Sequence, residues 1–253
     1  MTKIVELLDE VKLLVDVGCD HAYASIEAVK NKKAGSVLAC DIRKGPLMQA
    51  ENNIKNAGLE DQIKTFLSDG IRAVIKNDYK PDGMIIAGMG GKLMLDILKA
   101  VPTDGKVDKN QKATTKKAVE LLRNMKAIVL SPQSEPDLVR HFLIDEVKID
   151  IYDEYNIYDE GKYYTLIKLR PAENAVCRSD EYEHEALYKY GLISAIKAED
   201  TFIEGLLLSK KRYEEALEKC KSSNAANVYE KLTELEKKIN EIDFILNYKV
   251  NQL

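Results

Sequence analysis

Carboxylates and glycines recur in this chain just after short apolar runs. Leu13-Leu14-Val15 leads into Asp16-Val17-Gly18-Cys19-Asp20-His21, where a glycine lets backbone pass close to a ligand that a Cβ would strike. The pattern is D-x-G-x-D, without the third glycine of a dinucleotide fingerprint, which argues against a pyrophosphate cradle. A carboxylate beside such a turn suits a cationic ligand, for example a sulfonium with an amino-acid tail. Asp41-Ile42 closes the next apolar run, where an acidic residue accepts from both hydroxyls of a ribose or, alternatively, forms a turn or helix cap. Asp69-Gly70 closes the third; Asp69 either receives an adenine amino group or caps the following helix. Gly88-Met89-Gly90-Gly91 closes the fourth. Three glycines in four residues suit backbone that must approach both a donor and an acceptor of a small group, or else a tight turn without a ligand.

Groups able to handle protons or charge lie among these motifs. Asp20 and His21 stand at the mouth of the first, and an imidazole titrates close enough to neutrality to move protons. His21 is either such a group or a helix-start histidine satisfied locally. Tyr23 either stacks on a flat ligand or packs. Gln133, after a fifth apolar run, either reads a base edge or caps a helix.

The elements that must position these residues follow from periodicity. Strands are predicted at 13–17, 36–41, 63–68, 83–87, 127–130, 148–157 and 163–169, the first five as runs buried on both faces of a parallel sheet. Helices are predicted at 24–30, 46–57, 70–76, 92–99 and 115–124. This alternation implies βαβ units and an open α/β sheet of Rossmann-like type. Tyr158-Asp159-Glu160-Gly161-Lys162 has room only for a hairpin turn, so the mostly parallel seven-stranded sheet ends in an antiparallel pair, as in class I methyltransferases. The polar stretch 102–111 is either a solvated insertion or a segment that engages a large substrate.

Near 172 the pattern changes, which divides the chain into an α/β domain at 1–172 and a helical domain at 173–253. Residues 200–221 form one helix, and Ser222-Ser223-Asn224 breaks it. Val228, Leu232, Leu235, Ile239, Ile242 and Leu246 then repeat in steps of four and three, a heptad seam. The short break implies an antiparallel coiled-coil hairpin, with a homodimeric coiled coil as the competing arrangement and a monomer the expected state. Residues 183–198 link it to the core.

With 253 residues, 45% hydrophobic and 32% charged, the chain reads as a soluble globular protein. No apolar run reaches membrane-spanning length, and the N-terminus lacks a signal peptide, so the expected compartment is the cytoplasm. Four cysteines without CxxC spacing, with three histidines, imply no metal site. A net charge of -4 does not advertise a nucleic-acid binder, so any such partner must meet local basic surface. Lys30, Lys32, Lys33, Arg43, Lys44 and Lys92 around the sheet and Lys210-Lys211-Arg212 on the tail are the candidates, the tail cluster being otherwise a solvated helix face.

Taken together, the motifs resemble the bacterial tRNA (adenine-22, N1)-methyltransferase family. The resemblance rests on Asp16 through Tyr23, on Asp41-Ile42-Arg43-Lys44-Gly45-Pro46-Leu47 with Ala50 and Asn53, and on Ser68-Asp69-Gly70. It continues through Ile86 to Gly91, Leu130-Ser131-Pro132-Gln133 and Asp159 to Tyr164. It implies S-adenosylmethionine as cofactor, held by Asp16, Gly18, Asp41, Ile42, Asp69, Gly70, Gly88, Met89 and Gly90. It further implies methyl transfer to N1 of an adenine in the D-arm region of tRNA, with Asp20, His21 and Gln133 at the reacting end. Tyr23, Arg43, Lys44, Lys92, Lys210, Lys211 and Arg212 would then contact RNA. The rival expectations are a methyltransferase for a small molecule or protein, and a noncatalytic cofactor-binding module.

Overall fold

The computed structural model describes residues 2–107, 109–170, 179–221 and 228–248. Seven strands form one sheet in the order β3-β2-β1-β4-β5-β7-β6. They are β1 (Val11–Val17), β2 (Ala34–Asp41), β3 (Ile63–Leu67), β4 (Gly83–Met89), β5 (Ala127–Pro132), β6 (Ile151–Asp159) and β7 (Lys162–Leu169). β1 pairs in parallel with β2 and β4, β2 with β3, and β4 with β5, whereas β7 runs antiparallel to β5. The expected Rossmann-like class I methyltransferase sheet is therefore present. Central strands carry apolar residues on both faces: Leu14, Val15, Met84, Ile85, Ile86, Ile128, Val129 and Leu130 are all fully buried.

Helices α1 (Thr2–Leu7), α2 (Tyr23–Lys30), α3 (Lys44–Asn56), α4 (Arg72–Lys76), α5 (Gly91–Leu98), α6 (Gln111–Arg123) and α7 (Pro136–His141) cover the sheet. The sequence did not announce α1, whose six residues give less than two turns of periodicity. Nor did it announce α7 and the π-helical turn Phe142–Val147 that continues it. That turn buries Phe142, Leu143, Ile144 and Val147 and ends at Lys148, which is left-handed. The sixth strand therefore starts at Ile151 and not at 148.

The described residues fall into two compact units, one within Met1–Asp153 and Thr165–Ser179, the other within Glu154–Tyr164 and Asp180–Leu253. The outer half of the β6–β7 hairpin thus belongs with the helices. The boundary expected at 172/173 and the helix break at 222–224 lie outside the described residues.

In the second unit, α8 (Glu185–Tyr190) and α9 (Leu192–Lys197) occupy the segment read as a linker, followed by α10 (Asp200–Lys221) and α11 (Val228–Tyr248). Lys210 meets Asp243 at 2.5 Å, and Lys238 lies over the Tyr213 ring at 5.5 Å, so α10 and α11 are antiparallel. The buried positions of α11 are Leu235, Glu241, Ile242 and Ile245. Glu241 is held by Lys189 of α8 and, at 3.7 Å, by Lys237, while Phe244 stacks on His184 at 4.1 Å. The carboxylate of Glu154 on the hairpin, wholly buried, accepts from the Ser194 amide at 3.1 Å and anchors α9.

Candidate active site

A cavity of about 500 Å³ opens at the carboxyl ends of β1 to β4, where a doubly wound sheet places its ligands. Asp16, Gly18, Asp20, Asp41, Ile42, Arg43, Asp69, Gly70, Gly88 and Met89 line it, all of them singled out from sequence. Ser68, quoted above only as part of a motif, and Thr103, from the polar stretch 102–111, join them, as do Leu93 and Ile97, which the sequence did not mark as site residues. His21, Tyr23, Lys44, Gly90, Lys92 and Gln133 lie outside the lining, and Lys210, Lys211 and Arg212 belong to the second unit.

Gly18 has φ +73°, and a Cβ there would overlap the Met89 methyl group. Its amide and that of Cys19 both donate to the Cys40 carbonyl, at 2.8 and 2.9 Å, which locks the turn to the end of β2. Asp16 is buried, and the Ser25 hydroxyl donates to it at 2.6 Å. Burial pushes the Asp16 carboxyl up to about 6, against the lowering pull of the Ser25 hydrogen bonds. Burial likewise pushes the Cys40 thiol up to about 12 and raises Cys19 further, so both are inert thiols at neutral pH.

Asp41, also buried, accepts from the Arg43 amide at 2.9 Å and the Asp20 amide at 3.3 Å. It shapes a turn and borders the cavity at once, and a carboxylate retains further lone pairs for hydroxyl donors. Asp69 does not cap α4. The Ser68 hydroxyl does so instead, accepting from the Ala73 amide at 3.1 Å. One oxygen of Asp69 takes the Thr103 amide at 2.9 Å, while Oδ1 is buried with no hydrogen-bond partner. Such an orphan acceptor is costly unless a ligand donor completes it. Loop residue Thr103 thereby ties the polar stretch after α5 to the cavity.

The rim is built from strained backbone. Asp20 (φ 49°) and Ala22 (φ 60°) are left-handed without being glycine, and the Asn53 side-chain amide donates to the His21 carbonyl between them at 3.0 Å. His21 Nε2 is 3.6 Å from the Asp20 carboxylate, Nδ1 is buried without a partner, and the Tyr23 ring is 5.8 Å away. His21 is therefore not satisfied by local hydrogen bonds, and Tyr23, 56% exposed, is not a core residue. Arg43 reaches both Asp20 (3.8 Å) and Asp41 (3.7 Å). Across the opening β4 bulges between Ala87 and Met89, Gly88 adopts φ +75°, and a Cβ on Gly91 would overlap the Glu135 and Ser134 carbonyls. The exposed Gln133 donates its main-chain amide to the Met89 carbonyl at 2.8 Å and does not cap α7.

The arrangement can hold a ligand with an amino group, a diol and a cationic end in one row. It leaves an open, water-facing rim beside the fourth strand for a second, flat partner. No cluster of metal-binding side chains occurs among the described residues, and no helix there is long and apolar enough to cross a membrane.

A family model described as a methyltransferase domain matches residues 1–167. The tRNA (adenine(22)-N(1))-methyltransferase of Bacillus subtilis is 31% identical over 164 residues, which are 65% of this chain. The match spans 60% of that relative's length. A putative tRNA methyltransferase of Mycoplasma genitalium is 31% identical over 87 residues, 34% of this chain and 38% of the relative. Among solved structures, the B. subtilis tRNA methyltransferase TrmK superimposes with a TM-score of 0.78 at 23% identity, covering 96% of both chains. The M. capricolum TrmK, solved with S-adenosyl-homocysteine, gives 0.74 at 24% identity over 96% of this chain and 95% of that one. These two likenesses are likenesses of fold.

Proposed function

Because this chain belongs to the methyltransferase-domain family, we propose that it transfers a methyl group from S-adenosylmethionine to N1 of the adenine at position 22 of tRNA. One observation carries the cofactor: Asp69, Asp41, Asp16 with Gly18, and Gly88 occupy the ends of adjacent strands in the spatial order β3, β2, β1, β4. That row matches adenine, ribose, amino-acid tail and methyl in sequence. The orphan Oδ1 of Asp69 would accept from the adenine amino group, Asp41 from the ribose hydroxyls, and Asp16 would face the cationic end. The RNA substrate is supported by the name and identity of the B. subtilis relative.

Bound S-adenosylmethionine supplies a sulfonium-activated methyl group. Adenine N1 already carries a lone pair, so the protein's task is alignment more than base catalysis. N1 lies on the pairing edge, and the base must leave its stack to reach the rim. Gly88, where a Cβ would meet nothing nearer than 3.9 Å, gives it room, and Tyr23 offers an exposed ring at the mouth. The product base is cationic, and the exposed Asp20 carboxylate, with His21 beside it, stabilises that charge. Arg43, Lys44 and Lys92 on the first unit, and Lys211 and Arg212 on α10, would meet phosphates. A cytoplasmic monomer is the working state we assign.

The test is transfer of labelled methyl groups to unmodified tRNA, with the modified position mapped. Label at N1 of adenine 22 is expected. Tight S-adenosylmethionine binding with no label in tRNA would favour the noncatalytic module, and label in a small molecule or protein the other rival.

A further inference from the structure

A second hollow, of about 920 Å³, lies in the first unit between α4 and α6. Arg72, Lys76, Asn77, Thr114 and Lys117 line it, with Leu67 at its edge. It shares Ser68 and Asp69 with the cofactor cavity, so the two hollows meet at the end of β3. Lys76 and Lys117 are exposed. Arg72 is fixed by donating Nη1 to the Ala100 carbonyl at 2.6 Å and to Gln111 at 3.3 Å, which leaves its other N–H groups for a ligand.

Among the described residues of the lining, Asp69 is the one carboxylate, and its oxygens are taken by Thr103 or buried. Asp78, whose charge acts on Lys117 from nearby, is engaged by Lys80 at 2.5 Å. Residues 64–126 carry thirteen Lys or Arg against seven Asp or Glu, a surplus of six positive charges in a chain whose total is -4. The first turn of α6 has no acidic residue.

We propose that this groove binds the phosphodiester backbone of the tRNA strand that delivers the target adenine. The inference rests on the RNA-methylating reading above. Charge complementarity selects a polyanion, and fixed guanidinium plus mobile ammonium groups suit successive phosphates. Leu67, 53% exposed, offers apolar surface for a ribose or base that a free phosphate would leave uncovered. The groove offers an acidic chain a local basic surface for an acidic substrate, through Arg72, Lys76 and Lys117.

The experiment compares the full-length protein with a Lys76→Glu, Lys117→Glu double variant. Equilibrium binding to unmodified tRNA is measured across a salt series. Affinity at low salt should fall about tenfold or more, and the slope of log affinity against log salt should flatten by roughly one to two. S-adenosylmethionine affinity, read in parallel, should stay within about twofold, which excludes misfolding as the cause. A mutation-free measurement accompanies it: bound tRNA should protect Lys76 and Lys117 of the unaltered protein from acetylation. Unchanged slope and absent protection, in a protein that methylates tRNA, would overturn the groove and leave the parent reading standing. A protein that neither binds nor methylates tRNA overturns both.

Discussion

Ser25, in the first turn of α2, donates its hydroxyl to the Asp16 carboxylate at 2.6 Å, both side chains being buried. Burial raises Asp16 from 3.8 to about 6. The unliganded fold therefore favours the protonated acid. Its contribution to stability is fully present below the unfolded value and is lost as pH rises through about 6. A cationic ligand favours the opposite form. S-adenosylmethionine affinity should rise between about pH 4 and pH 6 while the unliganded protein loses stability over the same window. Calorimetry in buffers of different ionisation heat should show proton release on binding near pH 6, and pH-independent binding would remove Asp16 from the cofactor site. Ser25→Ala should weaken binding by about 1–3 kcal/mol at neutral pH, because a buried carboxylate loses its hydroxyl donor and keeps only the main-chain amide of residue 25.

Gly18 and Gly88 both lie near φ +75°, yet their surroundings differ. Gly18→Ala adds a collision with Met89 to the backbone strain, whereas a Cβ on Gly88 would meet only Gln133 Nε2 at 3.9 Å. Gly88→Ala should cost about 1–2 kcal/mol of stability, the left-handed strain alone, and Gly18→Ala more. Pairing Gly18→Ala with Met89→Ala should return part of the difference. Melting temperatures and cofactor affinity of the three variants check this.

Asn53 acts through another residue. Its amide pins the His21 carbonyl within a turn held left-handed on both sides. Asn53→Ala should lower kcat on the order of tenfold, through slight misplacement of Asp20 and His21, with little change in S-adenosylmethionine affinity. Asn53→Gln should not restore it, since the extra methylene moves the donor. Equal loss in kcat and cofactor affinity would mark Asn53 as merely structural.

The tail cluster divides by environment. Lys210 is committed to Asp243 at 2.5 Å and Glu214 at 3.8 Å, while Lys211 and Arg212 face outward. Lys211→Glu with Arg212→Glu should weaken tRNA binding and reduce its salt slope by about one to two, whereas Lys210→Ala should leave that slope almost unchanged.

Much of the sheet was legible because its central strands are short apolar runs closed by Asp or Gly, and burial on both faces makes such runs conspicuous. Phe142-Leu143-Ile144 looks the same in sequence but forms a π-helical turn, which is why β6 begins later than the pattern implies. The heptad reading located α11 but misplaced part of its buried face. Ile239 and Leu246 are half-buried whereas Glu241 and Ile245 are buried, because the end of that helix packs on α8 and α9 as well as on α10. Site residues at strand ends were visible, since topology alone brings them to one edge. Ser25 was not, and Asn53 entered by resemblance only: each acts from a helix face across 9 or 32 residues, a meeting that no local pattern encodes.

The chain passes from one compact unit to the other three times, after Asp153, Tyr164 and Ser179. A chimera that swaps everything beyond the last strand would therefore inherit a hairpin tip whose Glu154 and Tyr155 were fitted to the discarded helices. Successful exchange between relatives requires transplanting residues 154–164 together with the tail. The natural cassette is discontinuous, and substitutions at the hairpin tip and in α9 should travel together through evolution.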